Sequence, residues 1–130
     1  MKKKTVISLI LAGLSMVPFY AYANDLIISN NTNFPSTSVI NHGLCSTILK
    51  EAGVVKPHEQ NHVVPGDKVK WACTIFPSNC QADVYLTDNC QGPLIASVTF
   101  DVNSGIKSTI IKDAKYKVVG SGFNITLNPA

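Results

Sequence analysis

Arginine is absent from these 130 residues, and with it the planar fork that proteins favour for bidentate contacts to phosphates and base edges. Lysine does not replace it. Three of the eleven basic residues, Lys2, Lys3 and Lys4, stand at the amino terminus, and from Asn24 onward eight lysines face eight aspartates and glutamates. Such a balance offers neither the basic stripe of a nucleic-acid binder nor the excess that would hold an anionic membrane. Long apolar runs are missing as well. The longest, Val6 to Tyr20, falls short of the roughly 20 residues that carry a helix across a bilayer, so the mature chain is expected to be soluble, without membrane insertion. No cysteine follows Ala23 directly to take a lipid, and no serine sits in a G-x-S-x-G elbow. Asp88-Asn89 and Asp101-Val102-Asn103 lack the D-x-[DN]-x-[DN]-G order of a strong calcium site and read as turn chemistry. There is no internal repeat.

What is present begins with an export signal. Three lysines, an apolar run and the small-x-small triplet Ala21-Tyr22-Ala23 form the three parts of a Sec-type signal peptide over residues 1–23, cut to leave Asn24 first. Residues 24–130 then make one secreted domain, periplasmic or extracellular, large enough for one core but not two. All four cysteines, Cys45, Cys73, Cys80 and Cys90, lie in this exported part, where oxidising conditions favour disulfides. Three pairings exist for four cysteines. If Gln81 to Thr87 is a strand, its ends stand roughly 20 Å apart, and Asp88 and Asn89 cannot return the chain to the ~7 Å a Cys80 to Cys90 bond requires. Cys73 to Cys80 closes across Phe76-Pro77-Ser78-Asn79, which leaves Cys45 to Cys90 as its companion. The alternative is Cys45 to Cys80 with Cys73 to Cys90.

Apolar and polar residues alternate along much of the chain, the period of a half-buried strand. Val69, Trp71, Cys73 and Ile75 share one face of such a run. The pattern returns at Ala82, Val84 and Leu86, at Leu94 through Val102, at Ala114, Tyr116 and Val118, and at Phe123, Ile125 and Leu127, with Ile106 to Ile111 less regular. Polar turn residues separate these runs at roughly ten-residue spacing, which predicts an all-β, mainly antiparallel sandwich or small barrel. Leu26 to Ser29 and Thr37 to Asn41 read as short strands, the first an edge or the partner of the carboxyl-terminal strand. Leu44, Ile48 and Ala52 recur at helical spacing before Gly53, predicting one short helix from Leu44 to Ala52 with Gly53 as its left-handed stop.

One segment matches a catalytic motif. His58-Glu59-Gln60-Asn61-His62 has the H-E-x-x-H order of zinc peptidases, in which a helix places both imidazoles on one metal and the glutamate activates its water. Pro57 before it and Val63-Val64-Pro65 after it oppose that helix. The segment is therefore expected to be a polar loop or hairpin with both histidines solvated, so that no metal site and no cofactor are expected, although His58 and His62 are the candidates if one exists. His42 is expected at the surface or as a cap. Trp71, Phe100, Tyr116 and Phe123 fall on inward faces and are expected in the core. Tyr85, Phe76 and Ile95, flanked by Lys70, could form a ligand patch, but burial beneath the second sheet or a loop explains them more simply.

These observations predict a non-enzymatic protein that binds an extracytoplasmic protein or glycan. Two rivals are a small zinc hydrolase using His58, Glu59 and His62, and an inhibitor presenting the Val55 to Pro65 loop.

Overall fold

The computed structural model describes residues 24–130. The signal peptide expected over residues 1–23 lies outside the described residues.

Eight strands form two four-stranded sheets. In chain order they are β1 (Leu26–Asn30), β2 (Thr37–Ile40), β3 (His62–Val64), β4 (Cys80–Tyr85), β5 (Leu94–Asp101), β6 (Gly105–Ile111), β7 (Tyr116–Ser121) and β8 (Asn124–Pro129). One sheet runs β3-β1-β8-β7 and the other β2-β4-β5-β6. All pairings are antiparallel except β1 with β8, where Ile28 stands beside Ile125 and Asn30 beside Leu127. The fold is thus the mainly antiparallel β-sandwich that the alternation implies, and β1 does partner the carboxyl-terminal strand.

Alternation selects the core. From one sheet come Ala82, Val84, Ala96, Val98 and Phe100, and from the other Leu26, Val118, Ile125 and Leu127, all buried. Tyr116 packs on this cluster from the rim, and Phe123 is only partly covered. At roughly 25 cal/mol per Å² of apolar surface removed from water, this shared layer is the main stabilising element of the domain.

Two segments bridge the sheets, and both differ from the sequence expectation. Helix α1 (Gly66–Ala72) replaces the strand expected from Asp67 to Ile75. The pattern Val69, Ala72, Cys73 also fits i, i+3, i+4, and those are the residues turned inward: Val69 and Cys73 are buried, while Trp71 is 55% exposed and Ile75 77%. Pro65 starts the helix, and Asp25 holds its first amide, Gly66 N–H donating to Asp25 Oδ1 at 2.7 Å. The second segment, Ser46–Gly53, is a pair of 3-10 turns kinked at Lys50, where an α-helix is expected over Leu44 to Ala52. Gly53 is not a left-handed stop, and the positive φ of the segment falls at Lys50, with φ 59° and ψ −134°. Gly53 is required for another reason, because a Cβ there would overlap the Ser46 carbonyl oxygen. The segment closes the edge between β2 and β3, with the Ser46 hydroxyl donating to the Gly53 carbonyl at 2.6 Å and accepting from Ser38 N–H at 2.9 Å.

Two disulfides fasten these bridges. Cys45–Cys90 joins the start of the 3-10 segment to the loop after β4, and Cys73–Cys80 joins the end of α1 to the start of β4. The pairing is the one favoured by loop closure, although Cys73 ends a helix and not a strand.

Candidate functional site

The motif segment folds as a turn followed by the start of a strand. Pro57 and His58 form a turn, His58 has φ 60°, and His62 opens β3, so no helix carries His58, Glu59 and His62. The two imidazoles leave in different directions. His58 Nε2 meets Asn33 Oδ1 at 2.7 Å, whereas His62 Nδ1 meets Glu59 Oε2 at 2.8 Å and His62 Nε2 meets the Ala52 carbonyl at 2.9 Å. His62 is not solvated as expected: its side chain is 10% exposed and ties β3 to the 3-10 segment. Each ring nitrogen thus meets one oxygen, Nδ1 the carboxyl of Glu59 and Nε2 the backbone carbonyl of Ala52. Glu59 is occupied in the same latch. Burial raises its pKa, but the Lys56 amide donating to Oε1 at 2.8 Å, the hydrogen bond and charge of His62 and the charge of Lys56 outweigh that, and its carboxyl titrates below the ordinary glutamate value. Each Glu59 oxygen is engaged in one of these contacts. Among the described residues no group of three or more His, Cys, Asp or Glu side chains is placed to hold a metal.

A second polar cluster has no signal in the sequence. On the outer face of the β2-β4-β5-β6 sheet, buried Asp83 accepts from the Ser97 hydroxyl at 2.7 Å and from Gln81 Nε2 at 2.9 Å, and His42 Nδ1 lies 3.5 Å from its other oxygen. Serine, histidine and aspartate are all present, but in the wrong order. A nucleophilic serine needs the imidazole as its base, with the carboxylate behind it; here the carboxylate stands between the two. The cluster satisfies a buried charge. His42 itself is at the surface.

The ligand patch considered in the sequence does not assemble. Ile95 is buried in the core cluster. Tyr85 pairs with Leu94 and Thr37 at one end of β4, while Phe76 precedes the other end, where Cys80 faces Phe100. The two ends of this six-residue strand stand about 16 Å apart. Lys70 is exposed on α1 beside Trp71.

What the structure does assemble is an apolar surface between the 3-10 segment and α1. A cavity of about 150 Å³ opens there, lined by Ile40, Leu44, Ile48, Leu49, Trp71, Ala72 and Ile75 among others. Leu44, Ile48, Trp71 and Ile75 are all exposed, and Phe76 follows on the same loop, also exposed. Exposed large apolar residues scattered singly need no explanation, but several around one groove mark a contact surface. Its frame is rigid. Both disulfides border it, and Thr74 Oγ1 donates to the Trp71 carbonyl at 2.6 Å. Sequence reasoning missed the surface because a strand from Asp67 to Ile75 turns Trp71 and Ile75 inward with Val69 and Cys73. The signal that could have revealed it was the Pro65-Gly66-Asp67 helix start, with Val69 and Cys73 four residues apart.

Comparison with known proteins agrees with this architecture. The family model described as T2SS substrate NttC matches residues 2–130. The crystal structure of the Legionella pneumophila type II secretion system substrate NttC is similar in fold, with a TM-score of 0.63 over 82% of this chain and 97% of that one, at 21% identity. No curated protein matches the chain. A secreted, disulfide-bonded β-sandwich, this chain belongs to the NttC family of type II secretion substrates.

Proposed function

We propose that the mature chain, cut after Ala23 and delivered outside the cell by the type II system, acts by binding and not by catalysis. The observation that carries this reading is the framed apolar surface of Leu44, Ile48, Trp71, Ile75 and Phe76. Exposing such side chains costs solvation free energy on every folded molecule, and a rigid frame lets them meet a partner with little further ordering. The zinc-hydrolase reading draws no support from His58, Glu59 and His62, whose polar atoms are engaged with Asn33, Lys56, Ala52 and one another. The inhibitor reading keeps an exposed Lys56, Pro57 and His58, but with Val55 and Val64 buried the loop offers only Val63 as an exposed large apolar side chain, against the several on the α1 side. Radical footprinting of the mature protein with and without the surfaces of recipient cells tests the proposal. Protection of Trp71, Ile75 and Phe76 is expected; protection confined to His58–His62 would contradict it.

A further inference from the structure

We propose that the end of the molecule formed by α1 and the Cys73–Cys80 loop adsorbs to an anionic lipid bilayer, with Trp71, Ile75 and Phe76 entering the interface. The inference rests on the binding reading above and names its partner.

Shape comes first. Residues 74 to 79 are all exposed, so Ile75, at the rim of the cavity, and Phe76 beside it stand on a loop open to solvent, as a membrane needs. The loop is already ordered. Besides the disulfide, Asn79 N–H donates to the Phe76 carbonyl, and Val102 N–H donates to the Pro77 carbonyl at 2.9 Å. Insertion therefore loses little conformational entropy. Tryptophan favours the headgroup level, with its ring in the apolar zone and its N–H in the wet one.

Charge selects the kind of membrane. Lys68 lies three residues before Trp71 on the same side of α1, Lys70 adjoins it, and Lys107 Nζ donates to the Ser78 carbonyl at 3.2 Å and so flanks the loop. Two acids stand nearby: Asp67 is exposed one turn before Trp71 on α1, and Asp101 turns its Oδ1 to the Asn103 amide in the β5–β6 turn, so these three lysines exceed the acids by one. On the 3-10 segment Lys50 and Glu51 offset each other. The chain-wide neutrality that argued against an anionic surface thus hides a local excess of lysine, whose aliphatic stems can lie along the apolar rim while the ammonium groups reach phosphate.

Trp71 is the only tryptophan, so its fluorescence reports this surface alone. Mature protein is titrated with phosphatidylcholine vesicles containing phosphatidylserine and with pure phosphatidylcholine vesicles, reading Trp71 emission and cosedimentation. A blue shift and sedimentation with the anionic vesicles are expected. Ile75→Ser with Phe76→Ser should abolish both, and Lys68→Ala or Lys70→Ala should each weaken partition roughly fivefold, the ratio that about 1 kcal/mol represents. All these positions are exposed, and circular dichroism checks that the variants fold. Equal partition onto the neutral vesicles would overturn the anionic assignment. A shift that appears on concentrating the protein without lipid, with a dimer mass, would overturn the proposal in favour of a second copy. No response to either vesicle overturns it too. If Trp71, Ile75 and Phe76 are then still protected in footprinting by a cell-surface protein, the binding reading stands without the lipid; if no protection appears anywhere on this face, both fall.

Discussion

Residues 58–62 and residues 67–76 exchange the roles their sequences advertise. The first segment carries a zinc-peptidase motif and forms a latch in which His62 joins Glu59 to the Ala52 carbonyl. The second reads as a core strand and is surface, with Trp71 and Ile75 turned to solvent from a short helix. The difference teaches that residue type at a given spacing means little until the backbone period is known. A catalytic H-E-x-x-H needs 3.6 residues per turn and meets a turn and a strand. An alternating run suggests two residues per repeat and meets a helix.

The largest effects expected from this contrast belong to the two bridges. In the chain-entropy model, removing Cys45–Cys90, whose ends are 45 positions apart, costs about 4 kcal/mol, and removing Cys73–Cys80, 7 apart, costs about 2 kcal/mol. Denaturant melts of the paired cysteine-to-serine variants should preserve that order. The reverse order would show that the short loop, not the long one, governs the compactness of the unfolded chain.

Next comes the latch. His62→Ala leaves the part-buried Ala52 carbonyl and the Glu59 carboxylate without their partner and should cost about 1–2 kcal/mol. His58→Ala, which loses one exposed contact to Asn33, should cost less. Equal losses would mean that the two histidines act as a pair after all.

A smaller effect depends on pH. The Glu59 carboxyl titrates below the ordinary value of about 4.5, so the folded state holds its proton less tightly than the unfolded chain does. Its contribution to stability is complete above that ordinary value and is lost as pH falls through the lower folded value. Thermal melts of the parent and Glu59→Gln should therefore differ at neutral pH and converge in acid. Divergence on acidification would reverse the sign and break the latch account.

The smallest stability change is the sharpest discriminator. Trp71→Ser and Ile75→Ser should each shift stability by no more than about 0.5 kcal/mol, as surface substitutions do. Had Trp71 occupied the core of a strand, truncation would cost about 3–5 kcal/mol.

Much of the fold was legible because one face of each long strand is buried and the other is not. Ala96, Val98 and Phe100, or Ile125 and Leu127, alternate cleanly since each meets the opposing sheet. The disulfide pairing was legible in part, because a strand after Cys80 forbids its return to Cys90 and the short turn between Cys73 and Cys80 favours that bridge, while Cys45 to Cys80 with Cys73 to Cys90 stayed open until the structure showed the pairs. What stayed hidden lies in short elements. In α1, an inward stripe of buried Val69 and half-buried Ala72, continued by Cys73 just past its end, contains too few residues to separate a period of 3.6 from one of 2. The 3-10 segment buries Ser46 and Gly53 and leaves Ile48 out, a choice made by hydrogen bonds to Ser38 and within the segment, which hydrophobic spacing does not encode. The exposed apolar surface lies between these two elements, so it was illegible for the same reason.

The central claim is that the apolar end, and not the histidine turn, carries the work of this secreted protein. It is tested most directly by titrating labelled mature protein onto recipient cells with two variants side by side, Ile75→Ser with Phe76→Ser, and His58→Ala with Glu59→Gln. The account predicts at least about a tenfold loss of affinity, roughly 1.4 kcal/mol, in the first and none in the second. Full binding by the first variant with loss in the second would contradict it.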